Sequence, residues 1–148
     1  MTDPLQIRRK VTYNIGLVVL RSQDLERNLK LILAVMNQPG GESPVHRHEQ
    51  LKRRPLGEIV KGVLANMTVK EGSIDDLEAY FRSLLYRRNN VVHHFFEVYG
   101  ADLEAGKEPD VLKSLAALCE ELLHVATCFR GVNKAFLESL QEEEPHES

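Results

Sequence analysis

Apolar residues along this chain recur at alternating steps of three and four, the repeat of a helix that buries one stripe. The clearest stripe comes first: Ile15, Val18, Ser22, Leu25, Leu29, Ile32 and Met36 form an a/d-like seam, with Glu26, Arg27 and Lys30 outside it. It predicts a long helix from just after Asp3 and Pro4 to about Asn37. The segment Gln38-Pro39-Gly40-Gly41-Glu42-Ser43-Pro44 cannot continue that helix, because proline lacks a donor and paired glycines favour other backbone shapes. A mobile loop over 38–48 is expected. Pro55 suits the first turn of a second helix, which carries Leu56, Ile59, Val60, Val63 and Met67 and closes at Glu71-Gly72.

Ser73, with Asp76 three residues on, is a capping-box-like start for a third helix. Its stripe is Leu77, Phe81, Leu84, Arg88, Val91, Phe95 and Val98, and Gly100 is its expected end. A linker through Gly106 and Lys107 leads to Pro109 and a long final helix. There the repeat is Leu112, Leu115, Cys119, Leu122, Ala126, Phe129, Asn133, Phe136 and Leu140, with Gly131 a point of bending. The acidic tail over 142–148 is expected to fray. These segments predict an all-α fold, an up-and-down four-helix bundle with a long C-terminal helix, as a single domain over 1–148.

Composition narrows the function classes. The net charge of −3 argues against coating nucleic acid by bulk electrostatics, so any such contact must be local. Cys119 and Cys128 lie nine residues apart on one helix, about 13 Å along its axis and too far for a disulfide. Buried free thiols are expected. Arg8-Arg9-Lys10 precedes an apolar run, but Thr12, Asn14 and Gly16 interrupt it and no small-residue cleavage site follows. No stretch is long and apolar enough to span a bilayer, so a cytoplasmic location without a membrane partner is expected.

Chemistry gathers in Arg87-Arg88-Asn89-Asn90-Val91-Val92-His93-His94-Phe95-Phe96. Arg88 occupies a core position of its stripe, where a guanidinium is costly to desolvate, so an anionic partner is expected opposite it. Five residues on a straight helix turn roughly 140°, so Arg88 and His93 do not share a face unless the helix starts or bends there or the arginine reaches round. Asn89 and His93 do share one, as do Arg87 and His94.

Arg88, Asn89 and His93 form an Arg-x4-His spacing with a polar residue after the arginine. This resembles the HEPN superfamily (higher eukaryotes and prokaryotes nucleotide-binding), small four-helix bundles that often act as dimeric, metal-independent ribonucleases. The resemblance covers one short motif and a helical context. It implies a homodimer whose interprotomer cleft is lined by Arg88, Asn89 and His93, an RNA substrate, no metal and no other cofactor. A toxin or a defence or stress ribonuclease with an antitoxin or other protein partner is implied as well. Some toxin members carry a tyrosine two residues after the histidine, which a partner enzyme modifies; here that position is Phe95.

For RNA cleavage without a metal, the substrate's 2′-hydroxyl can attack the adjacent phosphate, a route closed to DNA. An imidazole moves protons near neutral pH, the role for His93, and cations stabilise the transition state, the role for Arg88 and Arg87. Asn89 would orient the imidazole or hold a phosphate oxygen. If the site uses the Arg87 and His94 register instead, the roles shift by one residue. The basic run from His46 to Arg54, with Lys52, Arg53 and Arg54, is a candidate phosphate contact or a solvated loop. His46 and His48 point apart on a helix, which disfavours a metal. His124 reads as a core-edge residue, and Tyr80, Tyr86 and Tyr99 as packing residues with wet hydroxyls. The other function class is a non-catalytic helical interaction or regulatory module, in which Arg88 pairs with a carboxylate such as Glu26 and His93 is structural.

Overall fold

A computed structural model describes residues 3–36, 43–67 and 72–142, apart from the side chain of residue 140. The described residues form an all-α bundle of six helices: α1 (Pro4–Met36), α2 (Pro44–Leu51), α3 (Leu56–Ala65), α4 (Ile74–His93), α5 (Phe95–Glu104) and α6 (Glu108–Glu142). The helical bundle and its long last helix are as the periodicity predicts. Two boundaries add helices. Ser43 accepts a hydrogen bond from the His46 backbone N–H and Pro44 sits in the first turn, so 44–48 is helix rather than the tail of a loop. The rest of the expected loop, 38–42, lies outside the described residues. The single helix expected from Ser73 to Gly100 is two, broken at His94, where φ −133° and ψ 29° leave the helical region. The second half then runs on through Gly100 to Glu104, and the turn into α6 uses Gly106 at φ +75°, a conformation that side chains disfavour. The second expected helix ends earlier than Gly72, at Ala65, leaving Met67 beyond it.

α1 and α6 are the spine, and they run parallel. Cys119 meets the Asn14 carbonyl, Arg130 pairs with Asp24, and Asn133 donates to the Asn28 carbonyl at 3.0 Å, so contacts advance along both helices together. α4 runs the other way: Arg87 meets Glu121 and Phe81 meets Phe129. The seam of α1 is what the pattern predicts, with Val18, Ser22, Leu25, Leu29 and Ile32 all buried. Leu115, Cys119, Leu122 and Ala126 of α6 and Phe81, Leu84 and Val91 of α4 close against it. Each large apolar side chain so buried contributes roughly 1.5–3 kcal/mol. Ser22 satisfies its hydroxyl on the Val18 carbonyl at 2.5 Å, which lets a small polar residue sit in the seam.

α2 and α3 cover the C-terminal half of α1. Lys30 is buried there, its ammonium held by Glu26 at 2.9 Å and by the Lys52 carbonyl at 2.7 Å. Gly62 of α3 lies against Leu33: a Cβ at that position would stand 2.8 Å from a Leu33 methyl. Leu33 is buried and borders the cavity between α1, α2 and α3, so a new side chain at position 62 must push it out of its packed position. Gly62→Val is therefore expected to lower stability by about 1–3 kcal/mol, seen as a lower urea midpoint at unchanged slope. A midpoint at or above wild type would mean that α3 is free to slide. Outside the core, Cys128 is exposed rather than buried, because the face of α6 that carries it also carries exposed His124. Phe136 is likewise partly exposed although it continues the predicted stripe. The side chain of Leu140 and residues 143–148 of the tail lie outside the described residues.

Candidate functional site

Arg87 and Arg88 are neighbours in sequence and have different jobs. Arg87 makes a two-pronged contact with α6: its Nη1 and Nη2 donate to Glu121 Oε2 and Oε1 at 2.5 and 2.9 Å. Tyr80, two turns earlier on the same face of α4, lies close enough to feel the same carboxylate. The hydrogen bonds from Arg87 hold the Glu121 carboxyl below its ordinary range, and burial, followed by the contact with Glu121, pushes the Tyr80 hydroxyl up to about 12. Nothing in a single sequence pairs positions 87 and 121, so this cluster was not legible there.

A carboxyl with a lowered folded pKa stabilises the fold above its unfolded pKa and stops doing so as pH falls through the folded value. Glu121→Gln is therefore expected to cost about 1 kcal/mol near neutrality, a modest figure because the pair is part-exposed, and progressively less as pH falls through the folded value. Urea denaturation over a descending pH series checks this. A gap that persists in acid would trace the loss to packing instead.

Arg88 has no such partner. The anion expected opposite it is absent among the described residues, and Glu26 is engaged by Lys30 rather than by Arg88. The side chain is half-buried, not in the core. Its Nε is shielded from solvent without an acceptor, which costs roughly 1–3 kcal/mol. Its Nη1 donates to Asn89 Oδ1 at 2.8 Å. That bond draws the guanidinium toward the side of the helix that Asn89 shares with His93, although neither Arg88 nor Asn89 lines the cavity that His93 borders. Asn89 thus holds the arginine, where orienting the imidazole or holding a phosphate oxygen was expected. Both Asn89 and His93 are exposed to solvent.

The two histidines also part company. His94, at the break between α4 and α5, turns its Nδ1 toward Glu97 at 3.4 Å. His93 ends α4 and lines a cavity of about 650 Å³. Val11 and Ile15 of α1, Val91 and Val92 of α4, and Phe95 and Leu103 of α5 supply its apolar walls. Its polar lining is Arg8, Thr12, His93 and Glu108, with Phe96 beside them. The helix break makes this cavity, by folding α5 back against α6. No family model, curated protein or solved structure matches this chain. The site's own geometry therefore carries its chemistry.

Lys52, Arg53 and Arg54 do not join this site within one chain. Lys52 lies beside Lys30, whereas the cavity touches α1 at Ile15, about 22 Å lower along the helix. Lys52 and Arg54 also carry local carboxylates, Glu49 at 2.6 Å and Glu58 at 3.3 Å. His46 faces Gln50 while His48 lines a different groove, so the two rings diverge as a helix requires. The basic run instead contributes Arg47 to a second cavity of about 530 Å³ between α1, α2 and α3. There its Nη1 donates to Gln50 and its Nε is buried without an acceptor.

Proposed function

We propose that this chain is a HEPN-like, metal-independent endoribonuclease whose site is completed by a second copy of the chain. The observation that carries the reading is the state of Arg88: a guanidinium held on Asn89, with a shielded donor and no carboxylate to satisfy it among the described residues. A structural arginine looks like Arg87, which is locked to Glu121. The division between His93 in the cavity and His94 on Glu97 favours the Arg88 and His93 register over the Arg87 and His94 one.

In this reaction the RNA 2′-oxygen forms a bond to the adjacent phosphorus and the bond from phosphorus to the 5′-oxygen breaks. The products are a 2′,3′-cyclic phosphate and a free 5′-hydroxyl. One proton leaves the 2′-hydroxyl and one reaches the departing 5′-oxygen. His93 from each of two subunits would take these two roles, and Arg88 would stabilise the charge on the phosphorane-like transition state. A substrate of this kind suits a cytoplasmic toxin or stress nuclease held in check by an antitoxin or other protein partner. No helix among the described residues is long and apolar enough to cross a membrane.

The test is cleavage of mixed RNA in excess EDTA by wild type, Arg88→Ala and His93→Ala, each checked for folding and dimer state. Activity that survives EDTA and vanishes in both folded variants supports the reading. A second reading, a non-catalytic interaction module, draws on Phe96, which is 80% exposed at the end of the same site. It predicts a folded wild type that cuts no RNA.

A further inference from the structure

The cavity beside His93 carries two charged side chains that the proposed cleavage step does not use. Arg8 lies on the face of α1 that also carries Thr12 and Ile15, and Glu108 is the first residue of α6; both line the cavity. Because α1 and α6 run parallel, both come from the beginnings of their helices and meet at one end of the bundle. No ion pair holds Arg8 or Glu108 among the described residues, so both charges remain available to a ligand at the cavity. The cavity therefore presents a set of free donors from a guanidinium and a free acceptor pair from a carboxylate, across walls that are otherwise aliphatic and aromatic. Its volume falls within the range of small-molecule sites, roughly 300–1,000 Å³.

Phe95 and Phe96 add a shape. Both rings line the cavity, and they meet edge to face at 5.5 Å. Phe95 also packs on Tyr99, with centroids 5.2 Å apart, which anchors it. Phe96 borders the cavity and leaves most of its surface to water. An aromatic so exposed beside an apolar cavity is a stacking surface for a planar ring.

Resting on the ribonuclease reading, we infer that this cavity takes a guanine base of single-stranded RNA and sets the phosphate next to it at His93. Guanine is the base whose Watson–Crick edge offers two adjacent donors, N1–H and the N2 amino group, to one carboxylate. Its O6 and N7 are the acceptors that a guanidinium reads. Glu108 takes the first edge and Arg8 the second, while Phe96 stacks on the ring. Adenine would put its ring N1 acceptor against Glu108 and its amino group against Arg8. Cytosine and uracil lack the paired donors and leave one of the two charges unsatisfied. Single-stranded RNA is recognised in this way because its unstacked bases can be splayed out onto aromatic side chains.

The experiment measures binding of full-length protein to guanosine, adenosine, cytidine and uridine 3′-monophosphates by calorimetry. In parallel it measures binding to a 2′-O-methyl oligouridine with and without one guanosine, which cannot be cut. Guanosine monophosphate is expected to bind at least tenfold more tightly than the others, and the single guanosine to raise oligonucleotide affinity similarly. Glu108→Gln should erase that preference by weakening guanosine binding to the level of the other nucleotides, since an amide offers one acceptor where guanine presents two donors. Phe96→Ala should weaken all four nucleotides and Phe96→Tyr restore them. Equal affinity for the four nucleotides overturns the proposal. So does a preference that survives Glu108→Gln, or a Phe96→Ala whose only effect is to dissociate a dimer, which would make this face a subunit contact. Guanine preference without cleavage of ordinary RNA keeps the pocket and removes the nuclease. Cleavage without guanine preference does the reverse.

Discussion

Replacing His93 by alanine is expected to slow RNA cleavage by about 10²–10⁴-fold while leaving the fold intact. The imidazole is exposed at the end of α4 and packs into no core layer, so the urea midpoint should move by no more than about 0.5 kcal/mol equivalent. Arg88→Ala should cost about 10²–10³-fold through lost charge stabilisation. Its effect on stability is the sharper discriminator. Removing a structural guanidinium abandons a carboxylate and destabilises by several kcal/mol, whereas removing Arg88 abandons only the Asn89 carbonyl oxygen, which is exposed, and eliminates a shielded donor without an acceptor. A near-neutral change in stability with a large loss of activity fits the proposed role. A loss above about 2 kcal/mol, with activity falling only in step with unfolding, would return Arg88 to the scaffold. Arg88→Lys is a further control: an ammonium keeps the charge but not the planar fork that reaches Asn89 and a phosphate together, so it should rescue little. Because the proposed site needs two copies, activity per chain should also fall on dilution through the dimer dissociation range.

Legibility in the sequence followed the reach of each signal. The buried seams of α1, α3 and α6 are set by one helix's own periodicity, and Val18, Leu25, Leu29, Ile59, Val63, Leu115 and Leu122 lie where the repeat puts them. The extra helix α2 was legible in principle, since a serine N-cap directly before a proline is a helix start; the paired glycines upstream outweighed it. The break at His94 was not legible. No proline or glycine marks it, and α5 has no side-chain cap. It depends on α5 packing back onto α6, a contact between distant segments. The same limit governed the arginines. Arg88 fits the stripe better than Arg87 by spacing, yet Arg87 takes the carboxylate, because the choice depends on where α6 places Glu121. The cavity at His93 has the same origin, as its lining comes from four helices and its two free charges are separated by a hundred residues of chain.

Leu25→Ala is expected to cause the largest loss of stability of any single truncation in the spine, about 2–5 kcal/mol. Leu25 is fully buried at mid-length of α1, between Ser22 and Leu29 of the seam and far from either end of the helix. A parallel pair of long helices shares its burial along the whole length, so a cavity at the middle cannot be closed by fraying an end. Tyr86→Ala, on the exposed face of α4, should change stability by less than about 0.5 kcal/mol and serves as the control. Urea denaturation followed by helical circular dichroism reads both. The two variants also separate stability from chemistry. Ile15 is the uppermost α1 residue lining the His93 cavity, so Leu25 sits about 15 Å further along the helix and touches neither Arg88 nor His93 directly. Leu25→Ala should therefore retain wild-type cleavage per folded molecule at temperatures where it remains folded. A Leu25→Ala that is as stable as wild type would mean that α1 and α6 are not packed through this seam, and the parallel spine would have to be abandoned with it.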